Sequence, residues 1–195
     1  MKRFLLLTFV ALASMSVWAV QKKTYTFAQR DTCELKMDVY QPNDTLKEHP
    51  CVFFIFGGGF KMGERDTPSA VTYMQQLAQA GIVGVAIDYR LGLKGVENVG
   101  LVKLAKLMEN TIDIGVEDAY DAVLYTLKHA EELRINPKQI ILSGSSAGAI
   151  LSLQCDYYLQ NEHPLSDRLP ADFRFSGVVS FAGAIAAFDG KVRYK

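Results

Sequence analysis

Apolar positions along the chain come in short runs separated by polar turns, and the period of each run sets the element it predicts. Residues 25–28 and 35–40 alternate well enough to be two antiparallel strands, with Arg30-Asp31-Thr32 near the turn. After a loop at 41–44, residues 51–56 are continuously apolar, as in a central strand covered on both faces. The run ends in Gly57-Gly58-Gly59. A helix is predicted next, with Thr67 as N-cap, Pro68 at the first helical position and Gly81 as its end. Val71, Met74, Leu77 and Ala78 give it one apolar stripe. A second buried strand covers 82–87 and closes in Asp88-Tyr89-Arg90.

The stretch 91–111 is less regular. Leu101, Val102, Leu104, Ala105, Leu107 and Met108 predict a short helix inside a long connection, which either lines a pocket or covers core. A clear helix is predicted over 116–133, with Ala119, Ala122, Val123, Thr126, Leu127 and Ala130 on one face, stopped by Asn136-Pro137. Residues 139–142 form another buried strand that runs through Gly144-Ser145-Ser146-Ala147-Gly148 into a helix reaching about residue 160. One more strand is predicted over 175–182. Strands alternating with helices predict an α/β fold, a doubly wound and mostly parallel sheet with antiparallel N-terminal strands.

The first residues change the picture of where the chain works. Lys2 and Arg3 precede an apolar run over 4–20, and Val17-Trp18-Ala19 offers a small-residue cleavage site. Residues 1–19 therefore read as a secretory signal peptide and 20–195 as one domain, exported to the periplasm or beyond. A membrane anchor is the competing reading, but the run is short for a span and no basic cluster follows it. The 21 basic and 21 acidic side chains balance, without blocks of like charge, which gives no reason to propose nucleic acid as a partner. Of the three cysteines, Cys51 and Cys155 read as small buried residues, and a Cys33–Cys51 bridge stays open.

The candidate chemistry lies at the second glycine turn. A serine on a sharp strand-to-helix turn is pushed out of the sheet, and a helix N-terminus behind it aims N–H groups at any negative charge formed there. Ser146 is that serine and the candidate nucleophile. Phe56-Gly57-Gly58-Gly59-Phe60, Asp88-Tyr89-Arg90-Leu91 and Gly144-Ser145-Ser146-Ala147-Gly148, in this order, resemble the α/β-hydrolase superfamily, in particular its secreted and hormone-sensitive-lipase-like carboxylesterases. The resemblance covers nearly the whole of 20–195. It implies a serine hydrolase acting through an acyl-enzyme on a small-molecule ester without a cofactor, with Gly58, Gly59 and Ala147 donating N–H groups to the oxyanion.

The chain departs from that family in three places. Phe56 stands where a histidine that shapes the glycine loop is usual, and Ser145 and Ala149 replace the more usual aspartate and glycine around the elbow. The family's acid and histidine follow two later strands, so the chain reads as its N-terminal two-thirds, expected to be inactive and poorly soluble alone. His49, His129 and His163 each read as surface histidine, and Asp189 could imitate an alternative acid position. Two other functions remain in play. A non-catalytic fragment or binding module would make the elbow a relic. A dinucleotide site is suggested by Gly57, Gly59 and Gly63 after a strand, with Asp88 ending the next. Acetylated-sugar, feruloyl, lipid and peptide esters all stay open, as does the oligomeric state.

Overall fold

A computed structural model describes residues 20–186; the leader at 1–19 and Asp189 lie outside the described residues. A twisted sheet of six strands is built from β1 (Gln21–Gln29), β2 (Glu34–Gln41), β3 (His49–Ile55), β4 (Val83–Ile87), β5 (Ile135–Ser145) and β6 (Gly177–Phe181), in the order β1-β2-β4-β3-β5-β6. β1 and β2 pair antiparallel, and β2 joins β4 antiparallel. β4, β3, β5 and β6 are mutually parallel. The connecting helices are α1 (Pro68–Gln79), α2 (Leu101–Lys128) and α3 (Ala147–Gln160), followed by a 3-10 turn at Pro164–Arg168. This is the doubly wound α/β sheet that the alternating pattern predicts.

The two faces of the sheet carry different loads. Phe53, Ile55, Val85, Ile87 and Leu142 point to the face covered by α2 and α3, where most of the buried apolar side chains meet. Tyr40 and Ala86 face the other way and are sealed by Met74 and Ala78 of α1. α1 starts as expected, its Thr67 hydroxyl accepting from the Ala70 N–H at 3.3 Å. Burying each large side chain contributes roughly 1.5–3 kcal/mol, so the α2/α3 face dominates the stability of this sheet.

Two expectations are corrected here. The connection after β4 holds one 28-residue helix rather than a short helix followed by a second. The two apolar stripes are in phase. Leu104, Leu107 and Met108 lead at helical spacing into Thr111, Ile112, Gly115, Val116 and Ala119, and no proline interrupts them. The stretch also serves both roles left open for it, since Leu91, Gly92 and Lys94 line a cleft while Leu93 lies in the core and Leu107 and Met108 pack against it. At its other end α2 stops at Lys128, and Asn136-Pro137 lie inside β5. The register of β5 on β3 slips there, between His49 and Cys51, which leaves the proline's missing donor without a ladder position to fill.

The histidines are the third correction. His49 is 2% exposed at the start of β3. Its Nδ1 lies 3.0 Å from the Gly81 carbonyl, and Arg134 and Asp44 meet Nε2. His129 caps α2 and stacks on Tyr125. His163 stacks on Tyr158 and accepts from the Leu165 N–H. All three do structural work that a surface reading misses. The cysteines are free, with Cys51 and Cys155 buried as expected.

Charges on the α2 side are knitted into one group. Asp118, fully buried, accepts from the Arg90 N–H at 2.8 Å, from Arg90 Nε at 2.9 Å and from Arg30 Nη2 at 3.0 Å. Arg90 also meets Glu117, and Arg168 bridges Glu117 and Asp121. A second group ties β1, β2 and the loop before α1 together. Asp38 takes the Thr24 hydroxyl at 2.6 Å, with Lys22 at 2.9 Å and Arg65 at 3.3 Å.

These environments fix the response to acid. Burial alone would push Asp38 up, but the Thr24 hydroxyl, Lys22 and Arg65 outweigh it and hold the carboxyl below its ordinary value. Glu117 is held down in the same way, Arg90 and Arg168 overcoming burial. Burial moves His163 below the ordinary imidazole value. All three groups bind a proton more readily in the unfolded chain, so stability rises with pH across their windows. The contribution of His163 is complete above about pH 6.5 and lost as pH falls below it; that of the carboxylates is complete above about pH 4 and lost below. Thermal melts should therefore decline in a shallow step and then a steep one, with His163→Asn removing the first step alone. A Tm unchanged from pH 7 to pH 3 would refute this assignment.

β6 is the outer strand among the described residues. Val179 and Phe181 on it are 43% and 48% exposed, while Val178 is half-buried. No helix of the described residues is long and apolar enough to cross a membrane.

Candidate active site

Parallel pairing places the C-terminal ends of β3, β4, β5 and β6 along one edge of the sheet, and the sequence motifs gather there. β5 ends at Ser145, and α3 begins at Ala147. Ser146 alone makes the turn, with φ 51° and ψ −115°. A left-handed φ is costly for a residue with a Cβ and persists only where the surroundings impose it. Here they do: the Ser146 N–H donates to the Phe181 carbonyl at 2.8 Å, and its carbonyl accepts from the Ile150 N–H at 3.0 Å. The side chain stands exposed at the apex.

The glycines of the elbow are there for close approach. A Cβ on Gly148 would overlap the carbonyls of Ile55 and Phe56, and one on Gly144 would overlap the backbone of Gly148. α3 is thus seated directly on the end of β3. Gly148→Ala should lift the helix off that strand, lower stability by at least about 3 kcal/mol, and lower the reactivity of Ser146 with it. A variant that melts within a degree of the wild type would show that α3 can shift freely.

The glycine loop meets the elbow from β3. A Cβ on Gly57 would lie 2.7 Å from the Ser145 carbonyl and 3.3 Å from the Ser146 Cβ, so the loop entry and the serine are in contact. Gly58 and Gly59 follow with φ 129° and 62°, both exposed, and the Gly58 carbonyl accepts from the N–H groups of Lys61 and Met62. Among the described residues, the N–H groups of Gly58, Gly59 and Ala147 donate to no protein acceptor. Ala147 has the first N–H of α3, where the helix dipole adds to its pull on negative charge. Sequence reading thus names residues that the fold brings to one place. It misses Gly57, whose contact with Ser146 exists only across two strands.

Beside the loop, a cleft of about 540 Å³ is lined by Phe56, Gly63, Tyr89, Leu91, Lys94 and Ile114, among others. The Asp88-Tyr89-Arg90 motif forms its inner wall and holds the β4 exit from both sides. Asp88 accepts from the Lys36 N–H at 3.1 Å and from Arg65 at 2.8 Å, while Arg90 is clasped by Asp118. The dinucleotide reading loses its footing here. The segment after Gly63 does not enter a helix until Pro68, and the Asp88 carboxylate is already engaged.

No histidine shares this edge. His49 opens β3 at the opposite end of the sheet, and His129 precedes β5 there. His163 follows α3, whose 14 residues carry it about 21 Å back from Ser146.

Strand order, elbow and glycine loop together define an α/β-hydrolase. Within that class the chain belongs to the BD-FAE family, whose profile matches residues 37–190. It is similar to an AB hydrolase superfamily protein of Schizosaccharomyces pombe, 32% identical over 113 residues, which cover 56% of this chain and 28% of that one. It is also similar to an acetyl esterase of Salmonella choleraesuis, 26% identical over 162 residues, covering 80% of this chain and 44% of the relative. Among solved structures, the Thermogutta terrifontis esterase Est2 with propionate bound superposes at a TM-score of 0.55 and 29% identity, over 70% of this chain and 45% of that chain. The same esterase phosphoramylated by tabun gives 0.53 and 28%, over 67% and 45%. The chain thus spans less than half the length of these relatives.

Proposed function

We propose that the chain carries the nucleophile and the oxyanion hole of a serine hydrolase acting on carboxylic esters. One observation carries the reading: an exposed serine forced into a left-handed turn, in contact with a glycine loop whose Gly58 and Gly59 N–H groups donate to no acceptor among the described residues. Ser146 Oγ attacks the ester carbonyl carbon and gives up its proton to a base. The carbonyl oxygen becomes an oxyanion facing the N–H groups of Gly58, Gly59 and Ala147. Collapse expels the alcohol and leaves an acyl-Ser146 ester, which water cleaves to the acid by the same steps. Each aimed donor contributes about a hundred- to a thousandfold in rate. Relatives named as acetyl esterase and as esterase support the class of bond attacked.

None of the chain's three histidines stands at the Ser146 edge, so none is assigned as the base. The same observation favours a second reading, in which the fold is kept as a binding module and the elbow is idle. An organophosphonate separates the two when applied to the native protein in its own cells. The ester-hydrolase reading expects the adduct on the peptide bearing Ser146. An adduct on Ser143 or Ser145 overturns the assignment, and no adduct on the protein supports the idle elbow. On residues 1–195 alone, p-nitrophenyl acetate should turn over far below ordinary enzyme rates, since without a base only the hole and binding effects remain.

A further inference from the structure

The glycine loop has no secondary structure of its own, yet Gly58 and Gly59, both exposed, must hold their N–H groups in one direction. The structure assigns that task to Tyr89: we propose that it is a positioning residue, whose hydroxyl fixes the Phe56 carbonyl and so the direction of the Gly58 and Gly59 N–H groups. Tyr89 Oη donates to the Phe56 carbonyl at 3.1 Å in a fully buried setting. Its ring lies against the Phe56 ring, with centroids 4.5 Å apart and an interplanar angle of 31°. Phe60, on the far side of the glycines, meets Tyr89 edge-on at 6.4 Å, and the Phe60 carbonyl accepts from the Leu93 N–H at 3.0 Å. The return of the loop closes on its own entry, since a Cβ on Gly63 would lie 2.6 Å from the Phe56 ring and 2.5 Å from the Gly57 carbonyl. Segment 56–63 thus meets Tyr89 at its entry and its middle, and its exit closes on the Phe56 that Tyr89 holds.

The anchor is itself immobile. Asp88 and Arg90, the residues on either side, are tied to Arg65 and Asp118, so the Tyr89 backbone cannot follow a moving loop. Burial also raises the hydroxyl far above the ordinary phenol value, which keeps it a donor throughout the working pH range. The Phe56 carbonyl belongs to the peptide whose N–H is that of Gly57. Letting this peptide turn re-aims the two that follow, which no side chain holds. Tyr89 touches no reacting atom; it acts through the loop.

The catalytic arm of the test rests on the ester-hydrolase reading, and a second arm does not. In the native protein, Tyr89→Phe keeps the ring and removes the hydroxyl. It should lower kcat on p-nitrophenyl acetate about ten- to a hundredfold with KM within about twofold, because the re-aimed donors act on the oxyanion rather than on bound substrate. Amide hydrogen exchange at Lys61 and Met62, whose N–H groups donate to the Gly58 carbonyl, should quicken about tenfold or more, with exchange in β3 and β5 unchanged. A folded variant with unaltered kcat and unaltered Lys61 and Met62 exchange overturns the proposal. A wild type that neither hydrolyses esters nor takes an organophosphonate sinks the ester-hydrolase reading, while the exchange arm still decides on Tyr89. Should Tyr89→Phe fail to fold, 3-fluorotyrosine placed at position 89 decides instead. Its more acidic hydroxyl is the stronger donor to the Phe56 carbonyl and must slow exchange at Lys61 and Met62, and unslowed exchange overturns the proposal.

Discussion

Ser146→Ala should abolish organophosphonate labelling of the native protein and leave its fold intact. In a complete serine hydrolase the corresponding loss of turnover is about a millionfold, the largest change any single substitution here should bring. Ser146→Gly should abolish labelling equally but differ in stability. At φ 51° and ψ −115° a residue with a Cβ carries about 1–3 kcal/mol of strain, and glycine is free of it. Against that, glycine gains freedom in the unfolded chain, about 0.4–1 kcal/mol. The net effect should be a gain of about 1 kcal/mol, read as a raised midpoint in urea at unchanged slope. Alanine keeps the Cβ and the strain, so it should melt near the wild type. A glycine variant less stable than the alanine one would show that the elbow is not strained.

Asp118→Ala should be the most damaging change away from the reactive serine. The carboxylate is fully buried and is the shared acceptor for Arg30, Arg90 and the Arg90 backbone N–H. Removing it leaves two guanidinium groups without their common partner inside the fold, and breaking a buried pair in this way costs about 3–5 kcal/mol. A domain of this size commonly holds about 5–15 kcal/mol in all. The variant should therefore be partly unfolded at 37 °C, shown by lost near-ultraviolet circular dichroism and an early urea midpoint. Asp118→Asn keeps the shape and one carbonyl acceptor and should lose less. A loss under about 1 kcal/mol for the alanine variant would mean that Glu117 and Asp121 take over both arginines.

Much of the fold can be read along the chain because it rests on local rules. The apolar run at 51–56 is a central strand, Thr67-Pro68 starts a helix, and the two glycine turns leave strands where they should. Ser146, Gly58, Gly59 and Ala147 are nameable for the same reason, as each belongs to a contiguous motif. What stays hidden is contact between distant segments. His49 reads as surface until Gly81 and Arg134 close over it. The continuity of α2 depends on two stripes keeping phase across residues 109–115, a region whose polar side chains suggest a break. Asp88-Tyr89-Arg90 stands out as a motif, but its division of labour between two ion groups and the glycine loop appears only when β4 lies beside β3 and β2.

The order of the strands also governs when the Ser146 turn comes into being. The glycine loop sits at the end of β3 and the elbow at the end of β5, and β3 pairs with β5 through Cys51 opposite Ile140. About ninety residues separate them, so this pairing is among the last that loop-closure entropy allows, after the β1–β2 hairpin and the nearer β3–β4 pair. The Ser146 N–H is further tied to Phe181, which leaves the ribosome later still. A nascent chain therefore holds its glycine loop and its serine apart until β5 and β6 have emerged. The Ser146 turn is assembled only once these strands are paired, so a chain that has not yet made β6 presents no poised serine to whatever it meets first.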